Sequence, residues 1–177
     1  MPMAGDRYER ELKYLLEGNE VTVRSMTKTC DNDEKRAYLS MIDNPFIVIR
    51  AAGSLGVDLV ALRWDFSFPI EVKSSSDDII RFSKNQRLTE QAESMINECC
   101  RCSLIPLYAF RLKGRRGDPW RVFSLPMDRI LMGKMGFIQK TIPLIELNSN
   151  GNFIMKWDNG MKLSKFIDYM GMLTQGD

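Results

Sequence analysis

Apolar positions along the 177-residue chain follow two spacings. The first is helical. Tyr8, Leu12, Leu15 and Leu16 fall at i, i+4, i+7 and i+8, which predicts a helix over 6–17, and Gly18 follows as a natural stop. Leu88, Ala92, Met95, Ile96 and Cys99 repeat that spacing behind Ser83-Lys84-Asn85-Gln86, which has the form of a capping box. Leu163, Phe166, Ile167 and Met170 predict a closing helix. The second spacing is that of strands. Residues 46–50 read as a buried strand, 57–62 as a second, 70–73 as a third, 104–113 as a fourth, and 120–125 as a fifth. The link through Asp65 and Pro69 is short enough for the second and third to pair antiparallel. The loop at 51–56 carries two glycines.

Two regions fit this alternation less well. Within 19–45, β-branched content at 21–29 predicts a short strand and 33–42 a short helix, together an insertion or flap. After Met127, 141–147 and 152–157 read as strands joined by the turn-rich Asn148-Ser149-Asn150-Gly151. The pattern is mixed α/β: a core over 1–126 with a small central sheet flanked by helices, and a C-terminal hairpin and helix extension over 127–177 packed on the same domain.

Composition narrows the chemistry. There is no histidine, which removes Ser-His-Asp and Cys-His catalysis and His-ligated zinc. Any acid–base or metal chemistry must use Asp, Glu, Lys, Tyr or Cys. The net charge of +2 hides an asymmetry: residues 1–80 sum to −4 and residues 81–177 to +6. The first stretch is charged where a secretory leader would be apolar, and no apolar run approaches a membrane span, so a cytoplasmic protein is expected. The four cysteines are then expected reduced, and Cys99, Cys100 and Cys102 are crowded too closely for a zinc set.

The residues that change the picture are Asp58 and Glu71-Val72-Lys73. Side chains alternate along a strand, so Glu71 and Lys73 share a face while Ile70 and Val72 take the other. Asp58 opens the neighbouring strand. Taken singly, an Asp at a strand start more often caps a turn, and Glu-x-Lys is more often a solvated face. Together they bring two carboxylates and an amine to one sheet edge. Hard oxygen ligands of this kind suit Mg²⁺, and a lysine beside it can orient or deprotonate water. Those are the parts for phosphodiester hydrolysis without histidine. Downstream, Arg111, Lys113, Arg115, Arg116 and Arg121 crowd a strand and turn around Trp120, opposed only by Asp118, and predict a positive edge that meets phosphates without reading sequence.

The order Val57-Asp58 … Glu71-Val72-Lys73 resembles the PD-(D/E)xK nuclease superfamily, and within it the archaeal-type Holliday junction resolvases, a branch also found in viruses. The resemblance rests also on Gly5-Asp6-Arg7-Tyr8-Glu9-Arg10-Glu11-Leu12, on the run FIVIRAAGS ending at Ser54, and on Ser83-Lys84-Asn85-Gln86-Arg87-Leu88. It covers about 5–17 and 46–125. It implies a restriction-endonuclease-like fold and a homodimer that cleaves four-way DNA junctions with Mg²⁺, Mn²⁺ serving as substitute. Asp58 and Glu71 would bind the metal, the Val72 carbonyl would add a ligand, and Lys73 would act on water. Glu9, with Glu11 its rival, would approach from the first helix. Arg10, Arg50 and Ser54 would meet the phosphate near the cleavage point. The 19–45 segment and the tail are longer than the family pattern. The competing expectations are another nuclease of restriction, repair or flap type, and a branched-DNA-binding module that does not cleave.

Overall fold

The computed structural model describes residues 4–51, 56–82 and 86–175. The first helix, α1 (Ala4–Leu16), ends at Gly18, whose φ of +64° and whose closeness to the Met41 carbonyl leave no room for a Cβ. Then come α2 (Glu20–Met26), a 3₁₀ turn and α3 (Asn32–Asp43). The strand expected over 21–29 is therefore a helix. Asn19 accepts from Thr22 N at 3.0 Å as an N-cap, Glu20 and Arg24 pair one turn apart, and only Val23 is buried, so capping outweighs β-branched content. The capping box on α3 uses Asp31 and Glu34.

The main sheet has six strands in the order β1-β2-β3-β5-β6-β9. They are β1 (Ile47–Arg50), β2 (Leu59–Leu62), β3 (Ser67–Ser75), β5 (Leu107–Leu112), β6 (Trp120–Ser124) and β9 (Met161–Lys162). All neighbours run antiparallel except β3 and β5, which are parallel and joined by a crossover through β4 (Ile79–Arg81) and α4 (Gln86–Cys102). The expected antiparallel pairing of the second and third strands is present, with Leu59 opposite Ile70. β1 is not the buried strand expected. It is the sheet edge, where Val48 is buried while Ile47 and Ile49 are 70% and 52% exposed. A second sheet, in the order β4-β8-β7, is formed with β7 (Glu146–Leu147) and β8 (Phe153–Lys156) from the tail. The hairpin was expected; its pairing with β4, and α5 (Gly133–Thr141), were not. The closing helix is α6 (Leu163–Thr174). The expected capping box lies largely outside the described residues, as does most of the 51–56 loop, Ser54 included.

Two cores follow from strand alternation. On one face Leu59, Ala61, Phe68, Ile70, Leu107, Ala109 and Val122 pack against α1, α3 and α6. On the other, Tyr108, Phe110 and Phe123 pack against Ala92, Met95 and Cys99 of α4 and against Phe153, Met155 and Trp157 of the second sheet. The 19–45 helices and the tail thus bury apolar side chains on both faces. Among the described residues no helix is long and apolar enough to cross a membrane.

One buried acid ties these additions to the sheet. Asp118, 3% exposed, accepts from Tyr38 Oη of α3 at 2.8 Å, Ser164 N of α6 at 2.9 Å and Trp120 N at 3.1 Å. It is not the surface opponent of the basic turn. Removing it leaves buried donors unpaired. Asp118→Ala is expected to destabilise by roughly 2–5 kcal/mol in denaturant unfolding, and Asp118→Asn, which keeps an acceptor, by less. Equal stability of Asp118→Ala and the parent protein would contradict this role.

Candidate active site

Asp58 immediately precedes β2, at the end of the ladder in which Leu59 pairs with Ile70, the residue before Glu71. Asp58 N donates to Ile70 O at 3.0 Å, and Ala51 N to Asp58 O at 2.9 Å, which fix the residue at the mouth of the β2 ladder. Its side chain turns inward: Oδ2 accepts from Val72 N at 2.7 Å. Lys73 is on the same face as Glu71 and its Nζ donates to Glu71 Oε1. The structure thus brings together Asp58, Glu71 and Lys73 as strand alternation predicted.

Glu71 is 2% exposed, and its Oε2 is buried with no hydrogen-bond partner. Burial, the largest cause, pushes its carboxyl from 4.5 up to about 7, while Lys73 pulls it down and Asp58 pushes it up. Gln91 of α4 borders this pocket; its amide donates to the Gly56 carbonyl at 3.1 Å and favours the charged form of Glu71. Beside Glu71 on β5 stands Tyr108, its register partner, fully buried and with its hydroxyl also unpartnered. Burial first, then the charges of Glu71 and Asp58, hold that hydroxyl well above its ordinary value, so it stays protonated. Neither Gln91 nor Tyr108 is among the site residues expected from the sequence. Gln91 carried a weak signal, as a polar residue bordering the Leu88–Ala92–Met95 stripe; Tyr108 carried none inside the apolar run Leu107–Phe110.

The other expected residues are placed as follows. Glu9 accepts from Arg50 Nη2 at 2.8 Å, and Arg50 is paired with Leu59, the residue after Asp58, in the β1–β2 ladder. Its rival Glu11 is committed elsewhere: Oε1 accepts from Arg111 Nε at 2.7 Å and from Trp120 Nε1 at 2.9 Å. Arg10 is exposed on α1. Among the described residues no three acids or cysteines gather into a cage for a metal ion; the acids of this site are a pair. All four cysteines are free, and burial pushes the Cys99 thiol up to about 12, so it packs as a protonated thiol.

The basic stretch splits. Arg121 is buried, 3.6 Å over the Trp157 ring, and donates to the Asp118 and Trp120 carbonyls. It is a packing residue rather than part of a positive edge. Arg111 is on the α1 face of the sheet, opposite to Glu71, and is half-buried against Glu11. Lys113 lies 5.9 Å over the Tyr8 ring, Arg115 lies 5.1 Å over Trp157, and Arg115 and Arg116 are exposed.

No family model and no curated protein matches this chain. Among solved structures, the fold is similar to that of Hjc, a Holliday junction resolvase from the archaeal hyperthermophile Archaeoglobus fulgidus, with a TM-score of 0.53 and 17% identity over 93% of this chain and 95% of that one. At that identity the likeness is one of fold: a six-stranded mixed sheet flanked by helices, of the kind that carries the Hjc nuclease.

Proposed function

We propose that the chain is a Mg²⁺-dependent endodeoxyribonuclease that resolves four-way DNA junctions as a homodimer. The observation that carries this reading is the meeting of Asp58, Glu71 and Lys73 at the end of the β2–β3 ladder, with Glu71 Oε2 buried and unpartnered. The donor set fits the group. Two hard carboxylates suit Mg²⁺, with Mn²⁺ as a substitute, and an orphaned buried oxygen is what a cation would satisfy. When bound, the ion would stabilise charge on the scissile phosphate and acidify water.

The chain's own residues do the remaining work. Val72 N–H holds one oxygen of Asp58 and so orients the other; the Val72 carbonyl is a further candidate ligand. Lys73, 17% exposed, keeps its ammonium at Glu71 and is placed to orient the attacking water and steady the developing charge. Glu9 and Arg50 form an ion pair; Glu9 would join the acids and Arg50 and Arg10 would meet phosphate, a role also proposed for Ser54, which lies outside the described residues. Lys113, Arg115 and Arg116 supply the outer phosphate contacts. Ile47, Ile49 and Leu62, exposed on the β1–β2 edge, offer an apolar surface to a second copy, and a two-fold pair of sites matches a two-fold junction.

The test is cleavage of a synthetic four-way junction beside flap, linear duplex and single-stranded DNA. Cutting of the junction is expected only with Mg²⁺ or Mn²⁺, and Asp58→Asn is expected to lower its rate by about 10³-fold while junction binding persists. Equal rates on linear duplex would favour a restriction or repair nuclease. A bandshift with no turnover in either metal would favour a binding module. Activity surviving in EDTA would overturn the metal assignment.

The ionisation of Glu71 gives a second test. Its proton is held more tightly in the fold than in the unfolded chain, so its stability contribution is full below pH 4.5 and is lost as pH rises to about 7. Cation binding needs the ionised form and so strengthens over the same window. The melting temperature of the metal-free protein is expected to fall across that window relative to Glu71→Gln, and Mg²⁺ to raise it more above that window than below it. Superimposable pH profiles for the two proteins would contradict the placement of Glu71.

A further inference from the structure

Tyr108 and Glu71 face each other across the parallel β3–β5 pair, the single parallel junction of the main sheet. Register-paired residues on adjacent strands carry their side chains on one face, within reach of each other. Both are buried, at 0% and 2% exposure, and both keep one polar atom without a hydrogen-bond partner: the hydroxyl of Tyr108 and Oε2 of Glu71. One is a donor lacking an acceptor and the other an acceptor lacking a donor. Among the described residues these are the only buried side-chain polar atoms left so. As packing alone, the tyrosine is a poor choice. Its ring lies against Phe82, centroids 5.9 Å apart, in a cluster of Phe110, Phe123 and Met155, where phenylalanine would fill the same space without stranding a hydroxyl.

We propose that Tyr108 is a positioning residue for Glu71: the two groups are not bonded to each other in this structure, and the hydroxyl becomes the donor to Oε2, the oxygen that Lys73 leaves over, when the carboxylate turns to receive a divalent cation. Carboxylate ligands are commonly fixed by a hydrogen bond of this kind from outside the coordination shell. Asp58 already has its fixing donor in Val72 N–H, and Lys73 serves Glu71 Oε1, so Tyr108 completes the set. An oxygen with two lone pairs can accept from the hydroxyl and face the ion at once. The inference rests on the metal-site reading above.

The experiment is calorimetric titration of the full chain, free of DNA, with Mn²⁺, comparing the parent protein, Tyr108→Phe and Asp58→Asn, with melting of each measured without metal. Tyr108→Phe is expected to bind Mn²⁺ about tenfold or more weakly, and to melt without metal at the same or a higher temperature, because an unpaired hydroxyl has been removed. A hydroxyl with only a structural role would give the reverse: unchanged Mn²⁺ affinity and a lower melting temperature, and either of those results overturns the assignment of Tyr108. If the parent protein itself fails to bind Mn²⁺, the metal site is withdrawn and the inference with it. If the parent binds, Asp58→Asn does not and Tyr108→Phe matches the parent, the metal site stands and Tyr108 alone is dismissed.

Discussion

The antiparallel register of β2 and β3 is the constraint on which the rest depends. With Leu59 opposite Ile70, Ile70 turns into the apolar core and Glu71 and Lys73 to the other face, while Asp58, at the end of that ladder, reaches the backbone of Val72 with one carboxylate oxygen. A slip of one residue would send Glu71 and Lys73 to the face covered by α1 and α6, and would bring Ile70 and Val72 out of that core. The apolar core therefore fixes the site. Ile70 is buried among Leu59, Phe68 and Leu107 on one side, and its burial leaves Glu71 one direction to point.

Holding a carboxylate there is costly. Glu71 is buried, shares its pocket with a second acid, and has one lysine and a neighbouring amide to offset the burial. A fold selected for stability alone would place an apolar residue at that position. Asp58 is handled differently: one oxygen is bonded to the backbone of Val72 at the end of the ladder. Two acids with different surroundings, only one of them paired with the amine of Lys73, make an asymmetric site rather than a symmetric cage. The 19–45 helices and the tail do not reshape this arrangement. They lock onto the sheet elsewhere, through Asp118, through Lys162 Nζ to Glu34 Oε1 at 2.6 Å, and through Gly117 N to Thr29 Oγ1 at 3.0 Å.

Much of this was legible in the sequence, and the failures have physical causes. Alternation within Glu71-Val72-Lys73 and a short link back to Asp58 suffice to place the triad, because local pairing of consecutive strands needs no long-range information. The helix at α2 was misread because Val21, Thr22 and Val23 favour a strand when counted, while the Asn19 cap that decides the matter is a single side chain. β4 is three residues long and meets β8 some seventy-five positions later, a pairing no local pattern carries. Arg121 counted as a surface cation because nothing near it in the chain shows that Trp157 will lie against its guanidinium. Tyr108 was hidden for the same reason: it sits in an apolar run, and only the crossover through α4 sets it beside Glu71.

The claim that Asp58 and Glu71 jointly hold a divalent cation is tested most directly by crystals of this protein soaked in Mn²⁺, with anomalous diffraction measured at the manganese edge. An anomalous peak within bonding distance of both carboxylates, absent from crystals of Glu71→Gln, is the expected result. Peaks only at other surface acids, or a peak that persists unchanged in Glu71→Gln, would contradict the account.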